Sequence, residues 1–126
     1  MSYRSPLGRA RGLGAAKTGV AHWWHQRVTA IANIVLVLWL IWSFSRLDFT
    51  DYDAIYDWMS FPFNALMLIF LIGNVFYHGY LGIKVVIEDY SHCECGKMTA
   101  ILVALYGLTL TAGVGIFSVL TVYFLG

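Results

Sequence analysis

Charged side chains are what this chain has least of. Eight basic and seven acidic residues make up 12% of its 126 positions, about half the usual share of a soluble domain. So few polar groups cannot cover a globular surface, which excludes a water-soluble fold. Cysteine is nearly absent too. Cys93 and Cys95 stand one residue apart, and with His92 they are too few and too crowded for a dependable zinc site. The period-two alternation of barrel strands is missing, as is any internal repeat. No acidic residue occurs before Asp48, so the net charge of +1 says less than its distribution does. No nucleic-acid partner is expected.

What fills the chain instead is apolar, at 60%. Three windows contain no Lys, Arg, Asp or Glu: Val28 to Ser45, Trp58 to Ile83, and Met98 to Gly126. Each is near or above the ~18–20 residues that cross a bilayer as a helix. In lipid every backbone polar group must be satisfied internally, and without barrel strands only helices do this. The fold predicted is an all-α membrane protein with three transmembrane helices over about 22–46, 58–89 and 97–125, forming one domain over 19–126. Ahead of it, residues 1–18 read as an irregular basic arm with Pro6, Gly8, Gly12 and Gly14, lying on a soluble partner. The arm has the Arg-rich, acid-free composition of a transit peptide but is expected to stay on the chain.

Orientation follows from the basic residues. Arg4, Arg9, Arg11, Lys17 and Arg27 precede the first span, whereas the first loop sets Arg46 against Asp48, Asp51, Asp53 and Asp57. Lys84 and Lys97 flank the second loop. The positive-inside rule places the N-terminus and second loop in the cytoplasm or matrix, and the C-terminus outside. Trp23, Trp24 and Trp58 stand at span ends as belt residues, with Trp39 and Trp42 closing the first span on the far side.

Among these apolar runs one ionisable residue lies deep. His78 sits inside the second window, and such residues usually face a bundle interior and mark a site. On a helix Gly82 shares its face one turn away, and Gly79 and Gly73 thin the neighbourhood further. A flat porphyrin approaches a backbone only where side chains are small, so one reading is a haem ligand. The other is a histidine hydrogen-bonded across a helix interface, with glycines for close packing. A six-coordinate haem needs two axial ligands. His22, His25 and His92 are expected outside the spans, so a second histidine ligand would come from another chain.

Asp89 and Tyr90 follow His78 by eleven and twelve residues, roughly 17–18 Å along a helix. A phenol keeps its proton at neutral pH and can donate to a quinone carbonyl, with a neighbouring carboxylate to orient it or relay protons. An interfacial Tyr and a solvated Asp at a helix end are the plainer alternative. Arg27 is either a positive-inside anchor or a fork for haem propionates. His22 and His25 read as interfacial residues, and Asn33 as an interhelical hydrogen-bonding one. Ala100, Ala104, Gly107, Thr111 and Gly115 make a small-residue stripe suited to close helix packing.

These features together resemble the succinate dehydrogenase membrane-anchor family, the small cytochrome b subunits of respiratory complex II. The family opens its first helix with Arg-x-Thr-Ala-Ile, here Arg27-Val28-Thr29-Ala30-Ile31. Its second helix carries His-x-x-x-Gly and then Asp-Tyr, here His78, Gly82, Asp89 and Tyr90. The three-helix topology covers nearly the whole chain. The resemblance implies a heterotetramer of the tricarboxylic acid cycle and electron transport. In it a flavoprotein oxidises succinate, an iron–sulfur subunit carries electrons, and this chain with a second cytochrome b anchor subunit reduces ubiquinone. It further implies that His78 ligates the iron of a haem b shared with that second anchor, with Gly82 packing beside it and Arg27 near the propionates. Tyr90 falls to the ubiquinone, supported by Asp89. Flavin and iron–sulfur motifs are absent, so the chain alone is expected to lack succinate dehydrogenase activity. The expected location is a bacterial inner membrane, or alternatively a mitochondrial one. An anchor of a related quinol:fumarate reductase and a cofactor-free structural subunit are the rival readings.

Overall fold

The computed structural model describes residues 6–7 and 16–126, with side chains from residue 19 onward in the longer stretch. Most of the basic arm expected over 1–18 lies outside the described residues. Four helices account for nearly all the rest: α1 (Ala16–Phe44), α2 (Tyr52–Ser60), α3 (Pro62–Tyr90) and α4 (Glu94–Leu125). Three stretches are long and apolar enough to cross a membrane, Gly19–Phe44, Pro62–Tyr90 and Glu94–Leu125. At about 1.5 Å per residue each exceeds the ~30 Å hydrocarbon core.

Two boundaries differ from the sequence reading. The first helix begins at Ala16, about six residues earlier than expected, so His22 and His25, expected outside the spans, lie well inside the helix and the Gly19–Phe44 stretch. The second uncharged window holds parts of two helices. Pro62 occupies the first turn of α3, and the preceding Phe61 is extended at φ −68° and ψ 125°. A proline ring clashes with a helical residue before it and has no N–H to give to the preceding turn. Counting charges cannot see this break, because it falls within an apolar run.

The short α2 forms for local reasons. Asp48 Oδ1 accepts from the Thr50 N–H at 2.9 Å and its hydroxyl at 2.7 Å, bonds that lower the Asp48 pKa from its usual value. Asp51 then caps the helix by accepting from the Asp53 N–H at 3.0 Å. An aromatic cluster pins α2 to the ends of α1 and α3. Trp39 stacks on Trp58 at 5.9 Å between centroids, and Phe44 meets Trp58 at 5.6 Å and Phe49 at 5.1 Å. Asn64 also donates to the Trp58 carbonyl at 2.9 Å, spanning the proline break.

At the other end, three residues join α3 to α4, which turns them into an antiparallel pair. In the resulting architecture α3 is the middle helix. It packs on α1 along one side and on α4 along the other, while the α1 and α4 backbones make no close approach among the described residues. Gly115 of α4 shows how closely one pair approaches, since a Cβ there would lie 3.3 Å from Ile72 Cδ1. The rest of the predicted small-residue stripe is not uniformly buried. Gly107 and Thr111 face outward, and a Cβ on Gly107 would meet nothing.

Candidate functional site

The end of the molecule that carries the α3–α4 loop also holds a cleft of about 450 Å³ between α1 and α3, within the usual range of ligand sites. Its α1 wall is His22, Trp23, Gln26, Arg27 and Ala30, and its α3 wall is His78, Gly82 and Val85. Helical spacing explains the set. His22, Gln26 and Ala30 recur every four residues, as do Trp23 with Arg27 and His78 with Gly82. Three of the five residues singled out from the sequence, Arg27, His78 and Gly82, thus share one cleft.

Each wall has a physical cause. A Cβ on Gly82 would lie 3.7 Å from Gln26 Nε2, so this glycine keeps the passage beside His78 open. Gly73 lines a separate hollow between α3 and α4, and a Cβ on Gly79 would meet nothing, so neither thins the His78 cleft. The Arg27 guanidinium sits over the Trp23 ring at 5.5 Å, a cation–π contact that holds its charge at the cleft.

His78 is half-buried and tied to α1, with its Nδ1 2.9 Å from Thr29 Oγ1. Two buried polar atoms on the same wall, His22 Nε2 and Gln26 Oε1, have no hydrogen-bond partner among the described residues. Buried polar groups are nearly always satisfied, so such orphans call for an explanation. Together the cleft offers an imidazole, a guanidinium and unpaired polar atoms over a glycine gap. That set suits a flat, metal-bearing, anionic group such as haem: an imidazole for iron and a cation for carboxylates.

Asp89 and Tyr90 stand apart from it. Both are exposed at the last turn of α3, toward the loop end of the molecule. Gln26 and the hydroxyl of Thr29 carry no role in the sequence reading, and His22, expected outside the spans, lines the cleft. The four-residue spacing from His22 to Gln26 to Ala30 was the available signal. Cys93 and Cys95 are exposed free thiols beside the loop. Hydrogen bonding from the backbone N–H of Gly96, and then of Cys95, lowers the Cys93 pKa from its ordinary value, although Cys93 closes no regular side-chain cap on α4.

Three apolar spans with a histidine-bearing cleft between two of them define a class: a multi-pass membrane protein with a polar-lined cleft at one end. Within that class, the chain belongs to the succinate dehydrogenase/fumarate reductase transmembrane subunit family, whose model matches residues 1–121. It is similar to the succinate dehydrogenase hydrophobic membrane anchor subunit of Rickettsia bellii, at 32% identity over 120 residues covering 95% of this chain and 88% of that protein. The same-named protein of Rickettsia conorii is 34% identical over 102 residues, 80% of this chain and 81% of its own length. That of Paracoccus denitrificans is 29% identical over 114 residues, 89% and 87% respectively. No solved structure matches the chain.

Proposed function

We propose that this chain is a membrane anchor subunit of a succinate:ubiquinone oxidoreductase, and that it contributes one axial ligand to a b-type haem and one wall of a quinone-reducing site. The observation that carries the reading is the α1–α3 cleft, where His78, Arg27 and Gly82 meet beside the orphaned His22 Nε2 and Gln26 Oε1. His78 would hold the iron, and a second cytochrome b anchor would supply the other protein ligand. Arg27, steadied by Trp23, neutralises propionate charge, and Gly82 leaves room for the ring. When bound, the haem would supply a one-electron store.

Tyr90 and Asp89 act at the loop end. The Tyr90 hydroxyl donates to a ubiquinone carbonyl and Asp89 orients it or passes protons to it. Their exposure is what a site completed by an iron–sulfur subunit requires, with the flavoprotein bound beyond. The basic N-terminal segment, α3–α4 loop and docked subunits occupy the cytoplasmic side of a bacterial inner membrane. Curated relatives named for succinate dehydrogenase favour this over a fumarate reductase.

A reduced-minus-oxidised spectrum of the purified complex tests the assignment. His78→Ala is expected to abolish the low-spin six-coordinate haem signal while succinate oxidation by a dye that bypasses quinone persists. An unchanged low-spin spectrum in that variant sinks the ligand assignment.

A further inference from the structure

The contacts of Thr29 bear on which nitrogen of His78 carries the proton. Thr29 Oγ1 lies 2.7 Å from the His25 carbonyl oxygen, 3.2 Å from that of Gln26, and 2.9 Å from His78 Nδ1. A hydroxyl has one proton and two lone pairs, and a carbonyl oxygen can only accept. The 2.7 Å approach of two oxygens therefore consumes the Thr29 proton on its own helix. What Thr29 has left to offer His78 is a lone pair, so the imidazole donates from Nδ1. A neutral imidazole has a single N–H, and with it at Nδ1 the lone pair resides on Nε2, the form in which a histidine binds metal.

The rest of the contact makes this arrangement rigid. Thr29 is 7% exposed, so water does not compete for its hydroxyl. Asn74, one helical turn before His78, donates to the Thr29 carbonyl at 2.9 Å and to Asn33 Oδ1 at 2.7 Å. Asn74 and His78 thus grip the backbone and the side chain of one residue from the same face of α3. As a β-branched side chain, Thr29 has restricted χ1 freedom as well.

We propose that Thr29 is the positioning residue of the haem site: its hydroxyl fixes the Nδ1–H tautomer and ring plane of His78, leaving Nε2 for the iron. The inference rests on the reading of His78 as haem ligand and adds the group that prepares it. Accepting from Nδ1–H also makes the imidazole a stronger donor to iron, which favours the oxidised metal.

The test uses the assembled complex with Thr29→Val and Thr29→Ala, which remove the acceptor, Thr29→Ser, which keeps it, and His78→Ala. The readouts are the haem midpoint potential, the ferric electron paramagnetic resonance signal and haem retention against an acceptor protein. The Val and Ala variants are expected to raise the potential, alter the low-spin signal and hold haem ~10–100-fold less tightly. The Ser variant is expected to stay near the parent. The proposal is overturned by unchanged potential and signal in Val and Ala, by a Ser variant displaced as far as Val, or by Val and Ala complexes that do not assemble while Ser does. A low-spin signal that survives His78→Ala overturns the haem reading itself, whatever the Thr29 variants do.

Discussion

Tyr90 is 79% exposed at the end of α3, and a phenol so placed contributes little to the stability of this chain. Its hydroxyl is free to serve a ligand held between subunits. Tyr90→Phe keeps the ring and removes the donor, so the expected cost is one neutral hydrogen bond, about 0.5–1.5 kcal/mol. That is a several-fold rise in the apparent KM for ubiquinone, and turnover falls further if the bond strengthens as the carbonyl is reduced. Dye-linked succinate oxidation should persist. Untouched quinone kinetics would make Tyr90 an interfacial aromatic and nothing more. Legibility at this scale divides by range. His78 and Gly82 share a face because four residues make a turn, and Arg27 joins them through the pairing of two long helices. The Thr29 contact to His78 spans 49 positions, and no periodicity along one helix reveals which hydroxyl of another will meet it.

Between elements, the pairing of α1 and α3 rests on polar contacts in a largely apolar seam. The Thr29 carbonyl has two lone pairs, so it can serve its own helix and Asn74 at once. Such bonds between membrane helices average about 0.6 kcal/mol and reach about 1.7. Asn74→Ala loses two and strands the Asn33 side chain, so we expect a loss of about 1–2 kcal/mol when the purified complex is titrated with SDS. Replacing both Asn33 and Asn74 with leucine should cost less than the sum of the two single changes, because neither amide is then orphaned. Strict additivity, or an Asn74→Ala complex as resistant as its parent, would refute the clamp. Asn33 was legible as a polar residue facing another helix, and Asn74 was not singled out although it too interrupts an apolar run. The spans were legible from the spacing of charges. The separate α2 was not, since what ends it is the backbone constraint of Phe61-Pro62.

For the molecule as a whole, the open row α1–α3–α4 is the governing fact. A row of three leaves the α1 and α4 backbones without close approach among the described residues, and its flanks are apolar. Ile31, Val35 and Leu38 of α1, like Tyr106, Leu110 and Phe117 of α4, are more than half exposed. Lipid and a partner anchor are the environments that tolerate such faces. With three spans, the start of α1 and the α3–α4 loop share one end of the row, while α2 sits at the other beside Asp48, Asp51, Asp53 and Asp57. By the positive-inside rule, the excess of basic residues at the first end predicts that the loop faces inward. Cys93 and Cys95, exposed at the loop end, make the test native. In intact cells a membrane-impermeant maleimide should leave them unlabelled, and in inverted vesicles it should label them. Because backbone N–H groups lower the Cys93 pKa, its thiolate forms below the ordinary thiol value. Labelling of the Cys95→Ser protein in inverted vesicles should therefore rise with pH and reach its plateau earlier than a free thiol does. Conversely, Asp57→Cys in a chain with both native cysteines changed to serine should label from outside only. Labelling of Cys93 in intact cells would invert the expected topology, and with it the side proposed for the Tyr90 site.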